Sequence, residues 1–308
     1  MHDANPASVV SIGNFDGVHV GHLRILREAA EDAQRRGLAS VALTFEPHPV
    51  EVFRALRAED FRLTSPAHRR ELLMAAGVGR VVEQVFDRGF AALSAEEFVD
   101  RVLVGELRAV SVHVGYDFNF GSGRSGTPDV LRALGASRGF ELHVHEAVRL
   151  GGEPVSSTRV RQAIRDGDLA LAQVLLGRPY SLMGMPAAGH GRGRTLSFPT
   201  INHYPQRVLT PPRGVYVSRL ACGAESWMAV SNLGVRPTFG DDVRLSLETH
   251  ILEPFEGLRP DTHIDVSLLA PIRPERRFES PDQLREQIAV DVSAARDWHS
   301  AAGQRAPG

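Results

Sequence analysis

The chain contains no lysine; all 35 of its basic residues are arginine. That absence excludes a P-loop, whose phosphate grip is built on Gly-Lys-Ser/Thr. It also excludes Schiff-base catalysis, which needs a lysine amine. Any basic group that touches a phosphate here is therefore Arg or His. Cysteine is nearly absent as well. Cys222 is the single thiol, so no internal disulfide can form and a reducing compartment fits. No apolar run is long enough to span a bilayer, and the N-terminus shows no charged, apolar, small-residue leader. A formal net charge of -2 over 308 residues argues against a broad surface for nucleic acid or membrane. Repeats and low-complexity segments are missing too. The expectation is a soluble cytoplasmic protein, 43% hydrophobic and long enough to bury the cores of two domains.

What is present falls into two textures. From residue 9 to about 176, strand-like and helix-like pieces alternate. Strands are predicted at Val9–Ile12, Ser40–Phe45, Arg80–Phe86, Ala109–Val114 and Glu141–Val148. Helices are predicted at Leu23–Arg36, Pro66–Ala76, Ser94–Val104 and Pro128–Arg138. Ser94 with Glu97 forms a capping box, and Thr127 caps a helix opened by Pro128. This alternation predicts a parallel sheet with helices on both faces and ligands at the carboxyl ends of the strands. After Gly177-Arg178-Pro179, short strand-like runs near 181–189, 214–220, 226–233, 245–252 and 263–270 are separated by Gly and Pro. That pattern predicts an antiparallel sandwich or barrel. A last helix is predicted from Ser280-Pro281 to about Trp298. The boundary is drawn at 178/179.

The densest chemistry lies in Gly13-Asn14-Phe15-Asp16-Gly17-Val18-His19-Val20-Gly21-His22, between the first strand and the first helix. Such a turn presents unpaired N–H groups and the positive end of a helix to an anion. His19 and His22 can donate hydrogen bonds to phosphate oxygens as a pentavalent phosphorus forms, which suggests nucleotidyl transfer from ATP. Gly13 and Gly17 are read as sharp turns, and Gly21 as a gap left for the phosphate. A second anion site is expected at Ser156-Ser157-Thr158-Arg159-Val160-Arg161. There hydroxyls cap a helix, and Arg161 lies one turn beyond Ser157. Phe45 and His48 in Thr44–Pro49 can line a flat ligand, and Asp117-Phe118 in Gly115–Gly121 offer aromatic surface with polar edges.

In the second texture, Gly189, Gly191 and Gly193 with Arg194 form a loop whose amides can wrap phosphate. Thr200 and Asn202 share a face of an extended chain and can hold Mg²⁺ beside ATP phosphates. Glu248 alternates with apolar residues on a strand, where an acid is costly unless paired or used as a general base.

Together these segments resemble the bacterial bifunctional riboflavin kinase/FAD synthetase family from Val9 to about Trp298. The resemblance implies an α/β Rossmann-like nucleotidyltransferase domain (FMN adenylyltransferase, 1–178), then a small antiparallel β-barrel kinase domain with a C-terminal helix (179–308). The family's Gly-x-Phe-Asp-Gly-Val-His-x-Gly-His signature falls on Gly13, Phe15, Asp16, Gly17, Val18, His19, Gly21 and His22. Its Ser-Ser-Thr-x-x-Arg motif falls on Ser156, Ser157, Thr158 and Arg161, its Pro-Thr-x-Asn motif on Pro199, Thr200 and Asn202, and its catalytic glutamate on Glu248. The resemblance implies ATP, riboflavin and FMN as small-molecule partners, Mg²⁺ as cofactor, and a monomer or transient homo-oligomer. His48, Asp117, Phe118 and Arg236 are the candidates to face the flavin. Ser197 stands where the family usually has Gly, Leu23 where it commonly has Gln, and His203-Tyr204-Pro205 is an unusual continuation. Three alternatives stay open: a single retained activity, a non-catalytic flavin-binding regulator, and a nucleotidyltransferase for another acceptor. The last gives Pro199–Asn202 and Glu248 no role.

Overall fold

The computed structural model describes residues 6–54, 56–187, 200–237, 243–255, 257–258 and 262–303. It divides into two compact units, Met1–Arg159 and Val160–Gly308. The first unit contains β1 (Ser8–Ile12), α1 (Val20–Arg36), β2 (Ala39–Glu46), α2 (Pro49–Arg54), α3 (Ala58–Phe61), α4 (Pro66–Ala75) and β3 (Arg80–Val85). It continues with α5 (Arg88–Ala91), α6 (Ala95–Phe98), a π-helix (Val99–Glu106), β4 (Ala109–Gly115), α7 (Pro128–Arg138), β5 (Glu141–His145) and the short pair β6 (Arg149–Leu150) and β7 (Glu153–Pro154). α8 (Ser157–Asp166) follows and runs into the second unit.

The five long strands are all parallel, in the order β3-β2-β1-β4-β5. The chain builds outward from β1 to one side, then returns to add β4 and β5 on the other. The carboxyl end of β1 is thus the switch point where such sheets bind ligands. Every residue of β1 is buried. Val10 and Ile12 pack with Val41, Leu43, Phe98 and Leu103 on one face, while Val9 packs on Ala29 and Ala33 of α1. Apolar runs buried on both faces are what a helix-covered parallel sheet requires.

Helix ends follow the expected chemistry. Ser94 and Glu97 make the reciprocal capping box, Thr127 accepts the Val130 N–H, and α1 and α7 stop at left-handed Gly37 (φ 66°) and Gly139 (φ 84°). Three expectations shift. The helix over 94–104 is α only to Phe98 and then widens into π turns, closing with Leu107 N–H on the Val102 carbonyl. That wider spacing lets Phe98, Val99, Val102, Leu103 and Leu107 all reach the core. The fifth strand stops at His145, three residues short of Val148. The loop after Glu46 holds two short helices, α2 and α3, over 49–61.

The second unit contains α9 (Leu169–Leu176), β8 (Tyr180–Gly184), β9 (Pro186–Ala187), β10 (Ile201–His203), β11 (Gly214–Cys222), β12 (Glu225–Pro237), β13 (Val243–Ile251), β14 (Ile264–Pro274) and α10 (Pro281–Gly303). Seven strands form one antiparallel sheet in the order β8-β14-β11-β12-β13-β10-β9. Gly184 at one edge lies against His203 near the other; a Cβ there would come within 2.6 Å of the His203 ring. Gln206 N–H also donates to the Met183 carbonyl at 2.9 Å. The sheet therefore curls on itself into the expected barrel. α10 is capped by Ser280, whose hydroxyl accepts the Gln283 N–H (3.2 Å). It continues past Trp298 to Gly303 and buries Val292 and Ala295 against Val215, Val217 and Val230. A bidentate Arg273–Asp291 pair (2.8–3.1 Å) fixes it to β14. Among the described residues no helix is long and apolar enough to cross a membrane.

Candidate active sites

The signature loop leaves β1 with the Gly13 N–H on the Leu43 carbonyl (3.1 Å). Its sharp turns fall on Phe15 (φ 49°), Gly17 (φ 81°) and Val18 (φ 41°). Two of these are non-glycine residues in the left-handed region, where backbone strain is stored at functional sites. Both are buried to within 1% of full enclosure, so packing holds them there. Gly13 is not a left-handed turn, contrary to expectation. Its missing Cβ makes room for the Phe15 ring, which a Cβ would meet at 3.1 Å.

Asp16 does structural work. Its buried carboxylate accepts the N–H groups of Leu63 (2.9 Å) and Thr64 (3.2 Å), while Gly17 N–H donates to the Thr64 hydroxyl (3.2 Å). Below the loop, the Asn14 carbonyl accepts from Thr44 Oγ1 (3.1 Å) and from the buried Arg69 (3.4 Å). Neither Arg69 nor the 63–64 segment was marked by sequence, because both meet the loop only through the fold.

His19 is the N-cap of α1: its Nδ1 accepts the His22 N–H at 3.2 Å. A neutral His19 therefore carries its proton on Nε2, where it can donate. The His22 ring stacks on His19 with centroids 3.6 Å apart and meets Phe15 edge-on at 5.3 Å. Gly21 makes this stack possible, since a Cβ would sit 3.1 Å from the His19 ring; the gap it leaves is filled by imidazole. The second motif joins the first here. Ser157 Oγ donates to the Asp16 carbonyl (2.8 Å), and Ser156 Oγ accepts the Arg159 N–H (3.2 Å) at the start of α8. Thr158 is exposed on the first turn of α8 and Arg161 is half-buried one turn on.

The aromatic candidates are dispersed. His48 is 5% exposed, its Nδ1 takes the Val50 N–H (3.2 Å), and its ring meets Phe61 at 5.1 Å. Glu46 beside it pairs with Arg62 (2.7 Å) and Arg69 (3.1 Å), and Arg62 also binds Glu51. Asp117 is exposed, with its carbonyl taking the Asn119 amide (2.7 Å), while Phe118 stacks on Phe120 at 5.5 Å.

In the second unit the sheet register assembles what sequence left apart. Glu248 on β13 pairs directly with Asn202 on β10 and with Asn232 on β12. Directly opposed residues point to one face, so the three form a row. The other face carries the buried hydroxyl chain Ser218–Ser231–Thr249, linked at 2.7 and 2.8 Å. Asn202 Oδ1 is buried and makes no hydrogen bond. Two residues past Asn232, Gly234 leaves space for a second acid, Glu275: a Cβ on Gly234 would lie 2.6 Å from Glu275 Oε1 and 3.5 Å from the Asn232 amide nitrogen. Sequence reasoning missed both: register reveals Asn232, and the close approach to Gly234 reveals Glu275. His203 ends β10 fully buried under Gly184, and burial pushes its pKa down to about 4, so the ring is neutral at pH 7. Gly189, Gly191, Gly193, Arg194, Ser197 and Pro199 lie outside the described residues, as does the Arg236 side chain. Thr200 is half-buried, two residues before Asn202.

Comparison with known proteins agrees with this division. The family model described as FAD synthetase matches residues 1–159, and that described as riboflavin kinase matches residues 176–299. The chain is 41% identical over 291 residues to the bifunctional riboflavin kinase/FMN adenylyltransferase of Escherichia coli K12, covering 94% of this chain and 92% of that protein. The protein of the same name from Haemophilus influenzae is 35% identical, covering 96% of each. A Streptococcus pneumoniae crystal structure described as a macrolide-efflux protein superposes with a TM-score of 0.83 at 31% identity, covering 97% of this chain and 96% of that one.

Proposed function

The chain belongs to the bifunctional riboflavin kinase/FMN adenylyltransferase family, and from that premise we propose that two separate sites perform two consecutive ATP-dependent steps. We assign residues 1–178 to adenylylation, because the Ser-Ser-Thr-x-x-Arg motif runs on to Arg161, and 179–308 to the kinase.

In the kinase step, Glu248 takes the proton of the riboflavin 5′-hydroxyl, and that oxygen attacks the γ-phosphorus of ATP, releasing ADP and FMN. The buried, hydrogen-bond-free Oδ1 of Asn202 is the state expected of an oxygen reserved for a cation. Thr200 and Asn202 would hold Mg²⁺, which when bound neutralises charge on the phosphate oxygens. The 189–194 loop is assigned to wrap those phosphates. Asn232 orients Glu248 from the neighbouring strand, so positioning supplies much of the acceleration.

In the adenylylation step, the FMN phosphate attacks the α-phosphorus of a second ATP and pyrophosphate leaves. No strong base is required, since a phosphate dianion is already nucleophilic near pH 7. His19 Nε2–H, His22 and Arg161 donate to the oxygens as charge builds. Asp16 and Ser157 hold the loop in shape. His48, Asp117, Phe118 and Arg236 are assigned to the flavin. The enzyme is placed in the cytoplasm, as a monomer or transient homo-oligomer.

One observation carries the bifunctional reading: each unit has its own set, the stacked His19/His22 pair in the first and the Asn202–Glu248–Asn232 row in the second. The test is incubation with riboflavin, ATP and Mg²⁺ followed by chromatography. His22→Ala accumulates FMN without FAD. Glu248→Gln makes neither from riboflavin yet converts supplied FMN. FAD formation by His22→Ala at the parent rate would overturn the first assignment, and Glu248→Gln phosphorylating riboflavin normally would overturn the second.

A further inference from the structure

A buried histidine cluster in the first unit is used by neither step. His113 on β4 and His143 on β5 are register partners on adjacent strands, and Asp32 faces them from α1. We propose that Asp32, His113 and His143 bind a divalent transition-metal ion of the zinc class, which pins α1 to the β4–β5 edge of the sheet. One carboxylate oxygen and one nitrogen of each ring lie within 4.8 Å of one another. Bonds of about 2.0–2.1 Å to zinc place tetrahedral ligands roughly 3.4 Å apart, so closing the site turns one ring out of the stack until the in-plane lone pairs of both converge on the ion. Asp32 and His113 are 4% and 3% exposed. The rings of His113 and His143 stack at 4.5 Å, and His143 Nε2 is shielded from solvent, makes no hydrogen bond and has Glu141 Oε2 3.7 Å away.

Proton accounting gives an independent reason. A chain of contacts runs from Asp32 Oδ2 to His113 Nε2 (3.4 Å), from His113 Nδ1 to His145 Nε2 (3.0 Å), and from His145 Nδ1 to Glu28 Oε2 (3.1 Å). Satisfying all three contacts between two carboxylates takes three protons, whereas two neutral imidazoles carry two. A cation at Asp32 and His113 stands in for the missing proton, as the Ser111 hydroxyl or an imidazolium also would. His113 Nε2 then gives its lone pair to the metal, its Nδ1–H donates to His145, and His145 donates to Glu28. This is the outer hydrogen-bond relay that metal-bound histidines require. The Ser111 hydroxyl, 3.3 Å from His113 Nε2, is the competing donor, and Arg35 and Arg36 occupy the other Asp32 oxygen at 3.2 and 3.0 Å. Two imidazoles with one carboxylate favour zinc over magnesium or calcium, which prefer all-oxygen shells.

The experiment uses the full chain, stripped with a chelator and titrated with ZnCl₂ against a chromophoric competitor. One zinc equivalent is expected, and X-ray absorption of the loaded protein shows a nitrogen/oxygen shell at about 2.0 Å with outer-shell scattering from two imidazoles. The half-exposed His143 tolerates replacement, and His143→Ala weakens zinc at least about 100-fold, beyond what outer-shell partners carry. Asn202→Ala in the other unit binds zinc like the parent. Parent protein that binds no zinc, a shell without imidazole scattering, or equal affinity in His143→Ala would each overturn the proposal.

Discussion

The two units build their sites in opposite ways. In the first, the two imidazoles proposed to act come from one continuous stretch, and most of its signature residues serve the stretch itself. Asp16 clamps Leu63 and Thr64, Gly13 seats Phe15, Gly21 seats His19, and His19 caps the helix that carries His22. In the second, Asn202, Asn232 and Glu248 come from three strands, and register alone aligns them. A contiguous motif is thus largely a shape, with its proposed chemistry concentrated in two rings. A dispersed site is chemistry laid on a shape that barrel closure provides.

The sharpest way to break this contrast is at the proposed base, Glu248. Glu248→Gln keeps the row's size but not its basicity, and riboflavin phosphorylation falls about 100- to 10,000-fold. The melting temperature of the second unit stays close to the parent's, as calorimetry would show. A lost fold instead of lost rate would mean that Glu248 is structural, as Asp16 is.

A pH effect comes next. His203 has a folded pKa of about 4 against a reference of 6.5. Between those values the unfolded chain binds the extra proton, so stability is full above pH 6.5 and declines as pH falls towards 4. The loss is about 3 kcal/mol. Both tryptophans, Trp227 and Trp298, lie in the second unit, so their fluorescence during urea unfolding isolates it. His203→Gln flattens the slope; a parent equally stable at pH 4.5 and 7 contradicts the assignment.

Asp16→Asn tests the opposite kind of residue. It replaces a buried charged acceptor and lowers first-unit stability by about 2 kcal/mol. Adenylylation weakens with it, while riboflavin phosphorylation is untouched. The smallest effect is expected from Gly21→Ala. Its methyl group lies 3.1 Å from the His19 ring, shifting the stack by a few tenths of an ångström. FAD formation then slows about tenfold, with FMN formation as the internal control. An unchanged rate would show that stacking of the two rings is incidental.

The parallel sheet, its caps at Ser94 and Thr127, the barrel texture and the closing helix were legible because hydrophobic period and capping chemistry are local. His19, His22, Ser157 and Glu248 were legible as candidates for the same reason. What escaped depends on distance along the chain. Asp16 meets its partners 47 residues away, Asn232 joins Glu248's row only through register, Glu275 reaches Gly234 only through the fold, and the His113–His143 pair exists only once β4 and β5 are aligned. The π turns after Phe98 escaped because an apolar run at that spacing reads equally well as an α-helix.

The two sites are proposed to work independently, one on paired imidazoles and one on a single carboxylate between two amides. Mixing His22→Ala with Glu248→Gln tests that independence most directly. Neither variant alone forms FAD from riboflavin and ATP, and the account predicts that the mixture does, as free FMN made by the first is adenylylated by the second. A mixture that makes FMN but no FAD would contradict it.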